Sequence, residues 1–263
     1  MTAVFVKPQG GDHWYTSDGT PRYDATLREA RKENLFPSPT TVLGIMHAAA
    51  LERWKIQQTV NAAVALPRGA AEADDAYEAR IKDQGDTLRR SAAELGTKVH
   101  HGIERLISWR LWDESCPILG AFHDWAVDNI RGHDWCEKVL VNHQLGVAGK
   151  ADALVYFKGQ AAEVVGDAPV LVDWKTQGMK LSKAKKPVYK PNYYSKWIMQ
   201  LAFYASCEMV PPRVVSVAIN TTEAGEPFLK LWTEEEQAKA FAAFKNALAL
   251  WQYDKNYQPE LSK

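Results

Sequence analysis

The sequence of 263 residues has few cysteines, no long apolar run and no excess of charge of either sign. Its three cysteines, Cys116, Cys136 and Cys207, are too few and too scattered for a zinc or iron–sulfur motif, so we expect reduced thiols and no iron–sulfur cluster. No apolar run approaches the ~20 residues of a membrane helix, and the N-terminus shows no charged-then-apolar leader. These absences predict a soluble, cytoplasmic protein without membrane contact.

The balance of charge says little about partners. The 32 basic residues equal the 32 acidic residues, so the formal net charge is zero, and any polyanion would have to be attracted by a local field. The sequence also lacks an internal repeat, a low-complexity tract, a helicase motif and the HExxH motif. A motor would therefore be a separate chain, and a zinc hydrolase is disfavoured.

The pattern of the chain changes from helical to strand-like spacing near residue 138. Irregular structure is predicted to residue 23, and helices are then predicted over 24–35, 38–66, 71–112 and 118–130. The cap of the second helix could be Ser38, Thr40 or Thr41. Strands are predicted over 138–144, 149–157, 170–175, 214–220 and 227–231. A loop at 176–191, a helix at 193–209 and a last helix capped by Thr233 complete the prediction. We therefore predict an α/β (α+β) fold with a small mixed central β-sheet flanked by helices and an N-terminal helical region.

The most informative segment is the apolar run 170–172, which leads into Asp173, Trp174 and Lys175. Residues two apart in a strand point to the same side of the sheet, so Asp173 and Lys175 should project together. A carboxylate beside an ammonium is costly in a core, but it suits a site that holds a metal ion and a phosphate. Taken alone, Lys175 would be interpreted as a surface lysine.

A second carboxylate, Asp152, follows Gly149 in an apolar strand-like segment. A buried aspartate in a strand needs a partner, and a divalent cation is one; a turn or cap aspartate is the alternative. Mg²⁺ and Mn²⁺ prefer carboxylate and carbonyl oxygens. Asp152, Asp173 and the backbone carbonyl of Trp174 could supply them, while the role of Glu137, just before the first strand, is undecided.

One predicted helix carries two adjacent histidines. His100 shares a face with the apolar Ile103, whereas His101 aligns with Arg105 on a more polar face. His100 is therefore the better candidate metal ligand, although an inward histidine is often a satisfied core residue. Glu104, one turn later, could bind the metal or orient the imidazole, and a helix-surface glutamate is an equal alternative.

The segment after Asp173 is basic and is followed by aromatic residues. Residues 176–190 contain no acid, and their lysines are Lys180, Lys183, Lys185, Lys186 and Lys190. The aromatic residues are Tyr189, Tyr193, Tyr194 and Trp197. Lysines beside aromatics suit a phosphate backbone with stackable bases, while a charge run alone is usually a solvated loop. Gln200 and Tyr204, four residues apart on one helix face, could reach a phosphate, a base or Lys175.

In this order the motifs resemble those of the PD-(D/E)XK nuclease superfamily, in its RecB-like, phage-type exonuclease branch. The resemblance rests on Gly96-Thr97-x-x-His100, Gly149-x-x-Asp152, Asp173-Trp174-Lys175-Thr176 and Gln200-x-x-x-Tyr204. The segment Ser38-Pro39-Thr40-Thr41-Val42-Leu43, with Trp54 after it, is similar to the N-terminal part of phage-type exonucleases. Asp173 departs from the glutamate that is commoner at its place in the family.

The resemblance implies a restriction-endonuclease-like core with Mg²⁺ or Mn²⁺ as cofactor. It makes His100, Asp152 and Asp173 metal ligands, Lys175 the catalytic lysine, and Gln200 and Tyr204 supports for substrate binding. We therefore expect two regions in the chain: an N-terminal irregular and helical region at 1–95, which packs on the core, and a nuclease core at 96–263.

The leading hypothesis is a metal-dependent DNA exonuclease that hydrolyses phosphodiester bonds at single- or double-stranded ends. We expect it to act in phage-type DNA recombination, repair or processing, with a recombination or replication protein as a candidate partner. Asp152, Asp173 and Lys175 would be its catalytic residues. The alternatives are a structure-specific endonuclease on the same scaffold and a nucleic-acid-binding subunit without turnover. Metal-dependent cleavage by the purified chain would exclude the last.

Overall fold

A computed structural model of the protein describes residues 13–47, 49–183 and 187–261. The helices are α1 (Leu27–Glu33), α2 (Pro39–Leu43), α3 (Ala49–Ala65), α4 (Asp74–Trp109), α5 (Pro117–Asn129), α6 (Gly159–Val165), α7 (Ser195–Ala205) and α8 (Glu234–Lys255). The strands are β1 (Trp14–Tyr15), β2 (Pro21–Arg22), β3 (Phe36–Pro37), β4 (Ile130–Asn142), β5 (Val147–Phe157), β6 (Val170–Gln177), β7 (Lys180–Leu181), β8 (Tyr189–Lys190), β9 (Arg213–Asn220) and β10 (Phe228–Trp232). None of the described helices has the length and apolar character of a membrane span.

The central sheet contains five strands in the order β10-β9-β6-β5-β4. β6 and β9 run parallel, and the other neighbouring pairs are antiparallel. The first five residues of β6 are all buried, as expected for a central strand that is covered on both faces. This mixed sheet flanked by helices confirms the predicted fold class.

Helices cover both faces of the sheet. The ring of Phe122 on α5 packs edge-on against Trp174 of β6, with 5.5 Å between their centroids. The next residue, Lys175, instead contacts Gln200 on α7. Because neighbouring residues of a strand point to opposite faces, α5 and α7 lie on opposite sides of β6. Asp173 and Lys175 therefore both project toward the α7 side.

The described residues form two compact units, one within Met1–Ile45 and Gly102–Lys263 and the other within Met46–His101. The first contains the central sheet. The second contains α3 and the larger part of α4, which are joined by a hydrogen bond from the Tyr77 hydroxyl to the Ala63 carbonyl at 3.5 Å. The boundary expected between residues 95 and 96 stays a proposal.

The helix predicted over 38–66 is divided in two. Of the three candidate caps, Ser38 is the one that caps α2, by accepting a hydrogen bond from the Thr41 N–H. The N–H of Gly44 then bonds to the carbonyls of Thr41 and Val42, a tightened last turn that ends a helix. The next helical segment begins only at Ala49.

The start of the first sheet strand was also predicted wrongly. The helix expected to reach Ile130 ends at Asn129, and β4 begins eight residues before the predicted strand. Register shifts at Ile130/Gly132 and His133/Trp135 interrupt the pairing of β4 with β5. Bulges of this kind break the alternation by which a strand is found in a sequence.

Other differences are smaller. The predicted loop at 176–191 contains the β7–β8 hairpin, although residues 184–186 lie outside the described part of the chain. The helix predicted over 193–209 is limited to Ser195–Ala205, because the N–H groups of Cys207 and Glu208 form tighter turns to carbonyls three residues before them. Helix α6 and the short strands β1, β2 and β3 were not predicted.

Candidate active site

Asp173 and Lys175 form an ion pair on β6. The Lys175 Nζ lies 2.7 Å from Asp173 Oδ1, and the two side chains are 23% and 3% exposed. Burial disfavours the charged ammonium, but the nearby carboxylates of Asp173 and Asp152 outweigh it and raise the pKa of Lys175. Lys175 is thus a cation held at the strand end by Asp173. It is not the freely exposed surface lysine that was the other interpretation of the sequence.

Asp152 lies where β5 and β6 stop pairing. The ladder between these strands ends at Ala153 and Val172, and the next ladder position is taken by a side chain. Asp152 Oδ2 accepts a hydrogen bond from the Trp174 N–H at 2.8 Å. The N–H and C=O groups of one strand residue point toward the same neighbour, so the Trp174 carbonyl also points toward β5. The Asp152 carboxylate and this carbonyl therefore lie at the end of the β5–β6 ladder, and Asp173 is the residue just before Trp174.

A chain of hydrogen bonds fixes the position of Lys175. Its ammonium donates to Gln200 Oε1 at 3.3 Å, and Gln200 Nε2 donates to the Tyr204 hydroxyl at 3.3 Å. That hydroxyl donates to the Lys150 carbonyl on β5 at 2.9 Å. Burial, assisted by the charges of the nearby aspartates, raises the pKa of Tyr204 far above its ordinary value, so the phenol keeps its proton. Gln200 and Tyr204 are therefore directly linked to the lysine.

Gly149 allows α7 to approach β5 this closely. A Cβ at this residue would lie 2.6 Å from Pro39 Cδ and 3.0 Å from the Tyr204 hydroxyl. Both contacts are shorter than or at the limit of ordinary packing, so a side chain would displace Tyr204 from the Lys150 carbonyl. Close packing against Pro39 and Tyr204 thus explains why the Gly149-x-x-Asp152 motif begins with a glycine.

Sequence reasoning left Glu137 undecided, and the structure brings it to this site. Its backbone has φ 53°, a left-handed conformation that costs a residue with a side chain about 1–2 kcal/mol. The pairs Cys136–Ala153 and Lys138–Ala151 bracket it, so Glu137 lies opposite Asp152. Its carboxylate is ion-paired with Lys150. Because β4 contains bulges, the alternation of its residues does not show that Glu137 faces Asp152. The strained backbone of a polar residue is the local feature that points to a functional role for Glu137.

Three side chains could hold a metal ion. His100, Glu137 and Asp152 each offer one ligand atom that a metal ion could use. One imidazole nitrogen with two carboxylate oxygens fits a divalent cation such as Mn²⁺. The group contains two of the ligands predicted from sequence, together with Glu137. His100 is half-buried and His101 is exposed.

The structure links Glu104 and the basic loop less directly to the candidate active site. The carboxylates of Glu137 and, more weakly, Glu104 raise the pKa of Lys150 against the opposing effect of burial. On the loop, Lys180, Lys183 and Lys190 are exposed, and the predicted contacts Lys185 and Lys186 lie outside the described residues. Lys180 is directly opposite Lys190 in the β7–β8 hairpin, and facing like charges destabilise such a pair.

Of the comparisons with known proteins, only that with solved structures gives matches. No protein-family model matches the chain, and neither does any curated protein. The solved structures that match include the crystal structure of a "putative exonuclease" from Eubacterium rectale, with 14% sequence identity and a TM-score of 0.32. The match covers 68% of this chain and 65% of that protein, so the chain spans less than two thirds of its length. This likeness does not decide a family.

Proposed function

We propose that the protein is a metal-dependent deoxyribonuclease that acts as an exonuclease. The observation that carries this proposal is the meeting of Asp152, Asp173 and Lys175 at the point where β5 and β6 stop pairing. Two carboxylates and an ammonium at the end of a strand pair are what cleavage of a phosphodiester requires: oxygens for a hard cation and a positive charge for the phosphate.

The metal would be Mg²⁺ or Mn²⁺, held by His100, Asp152 and Asp173, with Glu137 and the Trp174 carbonyl as further oxygen donors. Glu104 is proposed as a group that binds the metal or orients the imidazole. An imidazole among the ligands favours Mn²⁺ over Mg²⁺, since Mg²⁺ prefers oxygen alone. When bound, the ion supplies an acidified water and neutralises charge on the phosphate.

The protein's own residues position the substrate. Lys175, held by Asp173 and Gln200, would stabilise the charge that develops on the scissile phosphate. Tyr204 would keep Gln200, and through it Lys175, in place. The facing pair Lys180 and Lys190 supports a role in binding DNA phosphates, because an anion between them would relieve their repulsion. Lys183, Lys185 and Lys186 are proposed to extend this contact.

The proposal is tested with end-labelled single- and double-stranded DNA in Mg²⁺, Mn²⁺ or EDTA. We expect mononucleotides or short products from open ends, no cleavage in EDTA, and no cleavage of closed circles. Asp173→Asn and Lys175→Met should lower the rate about 10³-fold. Asp167→Asn and Lys239→Met, at exposed positions, are the matched controls and should cleave normally.

Two results would overturn the exonuclease assignment. Rapid cutting of closed circles would favour the structure-specific endonuclease on the same scaffold. DNA binding without metal-dependent cleavage would favour a nucleic-acid-binding subunit. A pull-down with recombination or replication proteins then tests the proposed partnership.

A further inference from the structure

An aromatic surface lies at the start of α7, beside the candidate active site. The rings of Tyr194 and Trp197 are 5.2 Å apart and nearly perpendicular, and Tyr193 lies 6.1 Å from Trp197. Tyr194 is 40% exposed, and Trp197 is partly exposed. Exposed aromatic residues that occur singly need no explanation, but a contiguous group of them marks a contact surface.

The base of this surface is held rigidly. The Tyr193 hydroxyl donates to the Phe228 carbonyl at 3.2 Å, and burial raises the pKa of Tyr193 to about 12. Its ring packs edge-on against Trp232, whose Nε1 donates to Ser216 Oγ at 3.0 Å. The Tyr193 ring, against which Trp197 packs edge-on, is therefore oriented before any ligand arrives, and such preorganisation reduces the entropy lost on binding.

The surface continues along α7 into the active site. Trp197, Gln200 and Tyr204 are spaced three and four residues apart, so they lie on one face of the helix. Gln200 accepts a hydrogen bond from Lys175, and Trp197 lies one turn, about 5 Å, farther toward the start of the helix. A single nucleotide can span that distance, with its phosphate at Lys175 and its base at Trp197.

One cation, Lys230, borders the same surface. Lys230 lies 3.6 Å from the centroid of the Trp232 ring and 5.6 Å from that of Tyr193. The sheet register aligns Lys230 with Ser216 and Ser216 with Asp173, so Lys230 is on the α7 side, about 10 Å from Asp173 across two strand spacings. Aromatic rings with adjacent cations are suited to nucleobases and phosphates of one strand.

We propose that Tyr194 and Trp197 form a stacking surface for the base next to the scissile phosphate, and that this nucleotide is unpaired. The inference rests on the proposed nuclease function and narrows its substrate to single-stranded DNA ends. In a duplex each internal base is stacked between its neighbours, so no base face is available to these rings. An unpaired nucleotide offers its face regardless of its identity, and the preference should therefore not depend on sequence.

The test combines protein variants with altered substrates. Tyr194→Ala and Trp197→Ala should each raise the KM for single-stranded DNA about 10-fold, with little change in kcat. Trp197→Phe and Tyr194→Phe keep a ring and should behave nearly as the parent. Trp109→Ala and Tyr253→Ala, which remove exposed rings elsewhere, are matched controls. Thermal unfolding of each variant separates loss of stacking from loss of fold.

An abasic site placed at each position next to the cleaved bond gives the decisive comparison. At one of these positions, the missing base should raise the KM of the parent protein about as much as Trp197→Ala raises the KM for intact DNA. The same missing base should change the KM of the Trp197→Ala variant little. Additive losses, or equal losses on blunt duplex ends, would overturn the inference.

Binding separates this inference from the function on which it rests. Fluorescence anisotropy with labelled oligothymidylate in EDTA measures strand binding without cleavage. If the parent cleaves DNA and the alanine variants bind and cleave as it does, the stacking surface is refuted and the nuclease stands. If nothing cleaves but binding still depends on Trp197, the nuclease is refuted and the stacking surface stands.

Discussion

The carboxylate of Asp152, one residue beyond the last paired position of β5, accepts a hydrogen bond from the backbone N–H of Trp174 at 2.8 Å. A side chain thus replaces a ladder hydrogen bond, and the backbone pairing of the two strands stops where the polar residues begin. Strand β6 is apolar and paired with β5 up to Val172, and the candidate active site begins at the next residue, Asp173. The backbone N–H that would otherwise lack a partner instead holds a carboxylate in place.

Asp152→Asn and Asp152→Ala should therefore differ in stability but not in activity. Asparagine keeps an oxygen acceptor for the Trp174 N–H, whereas alanine removes it and should lower the free energy of unfolding by about 1–3 kcal/mol. Both remove the charge and should lower cleavage at least 10²-fold. Urea unfolding and steady-state cleavage measure the two effects. An asparagine variant that cleaves at the parental rate would contradict the assignment.

Glycine should be better tolerated than alanine at Glu137. Both substitutions remove the carboxylate, but only glycine adopts φ 53° without cost, so Glu137→Gly should be about 1 kcal/mol more stable than Glu137→Ala. At the adjacent Lys138, whose φ is not positive, the order should be reversed. Chemical unfolding of the four variants gives the comparison. In both Glu137 variants, Mn²⁺ should bind about 10-fold more weakly in calorimetry.

Removing the Tyr204 hydroxyl should weaken both the fold and the placement of Lys175. Tyr204→Phe leaves the Lys150 carbonyl and Gln200 Nε2 without this partner and should cost about 1 kcal/mol of stability. The displaced lysine should lower kcat about 10-fold or more with a smaller change in KM. Tyr253→Phe, at an 86% exposed tyrosine, should change neither quantity. A normal kcat in Tyr204→Phe would separate Tyr204 from Lys175.

Two glycines of the β4–β5 pair should respond in opposite ways to alanine. Gly149→Ala brings a methyl group against Pro39 and Tyr204 and should destabilise the protein by about 1–3 kcal/mol. A Cβ at Gly132 has no neighbour within 4 Å among the described residues, so Gly132→Ala should be neutral or slightly stabilising. Thermal unfolding distinguishes the two. Equal midpoints would show that Tyr204 moves aside without cost.

The capping box of α8 should make a pH-dependent contribution to stability. Glu236 accepts the Thr233 N–H at 2.8 Å, and this bond lowers the pKa of Glu236 below its usual value. A lowered pKa in the folded protein means that the stabilisation is complete above the unfolded-state pKa and is lost as pH falls through the folded one. Glu236→Gln should thus be less stable than the parent at pH 7, with the difference shrinking in acid. Glu235→Gln is the control, and a constant difference across pH would contradict the prediction.

The sequence by itself determined which side chains share a face. Alternation along an apolar run puts Asp173 and Lys175 on one side of their strand, and helical spacing puts Gln200 and Tyr204 on one side of theirs. The Thr233 cap is equally local and was predicted correctly, and the Ser38 cap is one of the three candidates that the sequence offers. Each of these predictions depends only on the geometry of one element, which a few neighbouring residues fix.

Only the tertiary structure decided which faces meet. The position of Glu137 opposite Asp152 depends on bulges in β4, the hydrogen bond from Trp174 to Asp152 depends on where β5 and β6 stop pairing, and the approach of Lys230 to Tyr193 depends on the order of strands. Periodicity records the face of a side chain but not its neighbours, because register and strand order arise from packing between segments far apart in the chain.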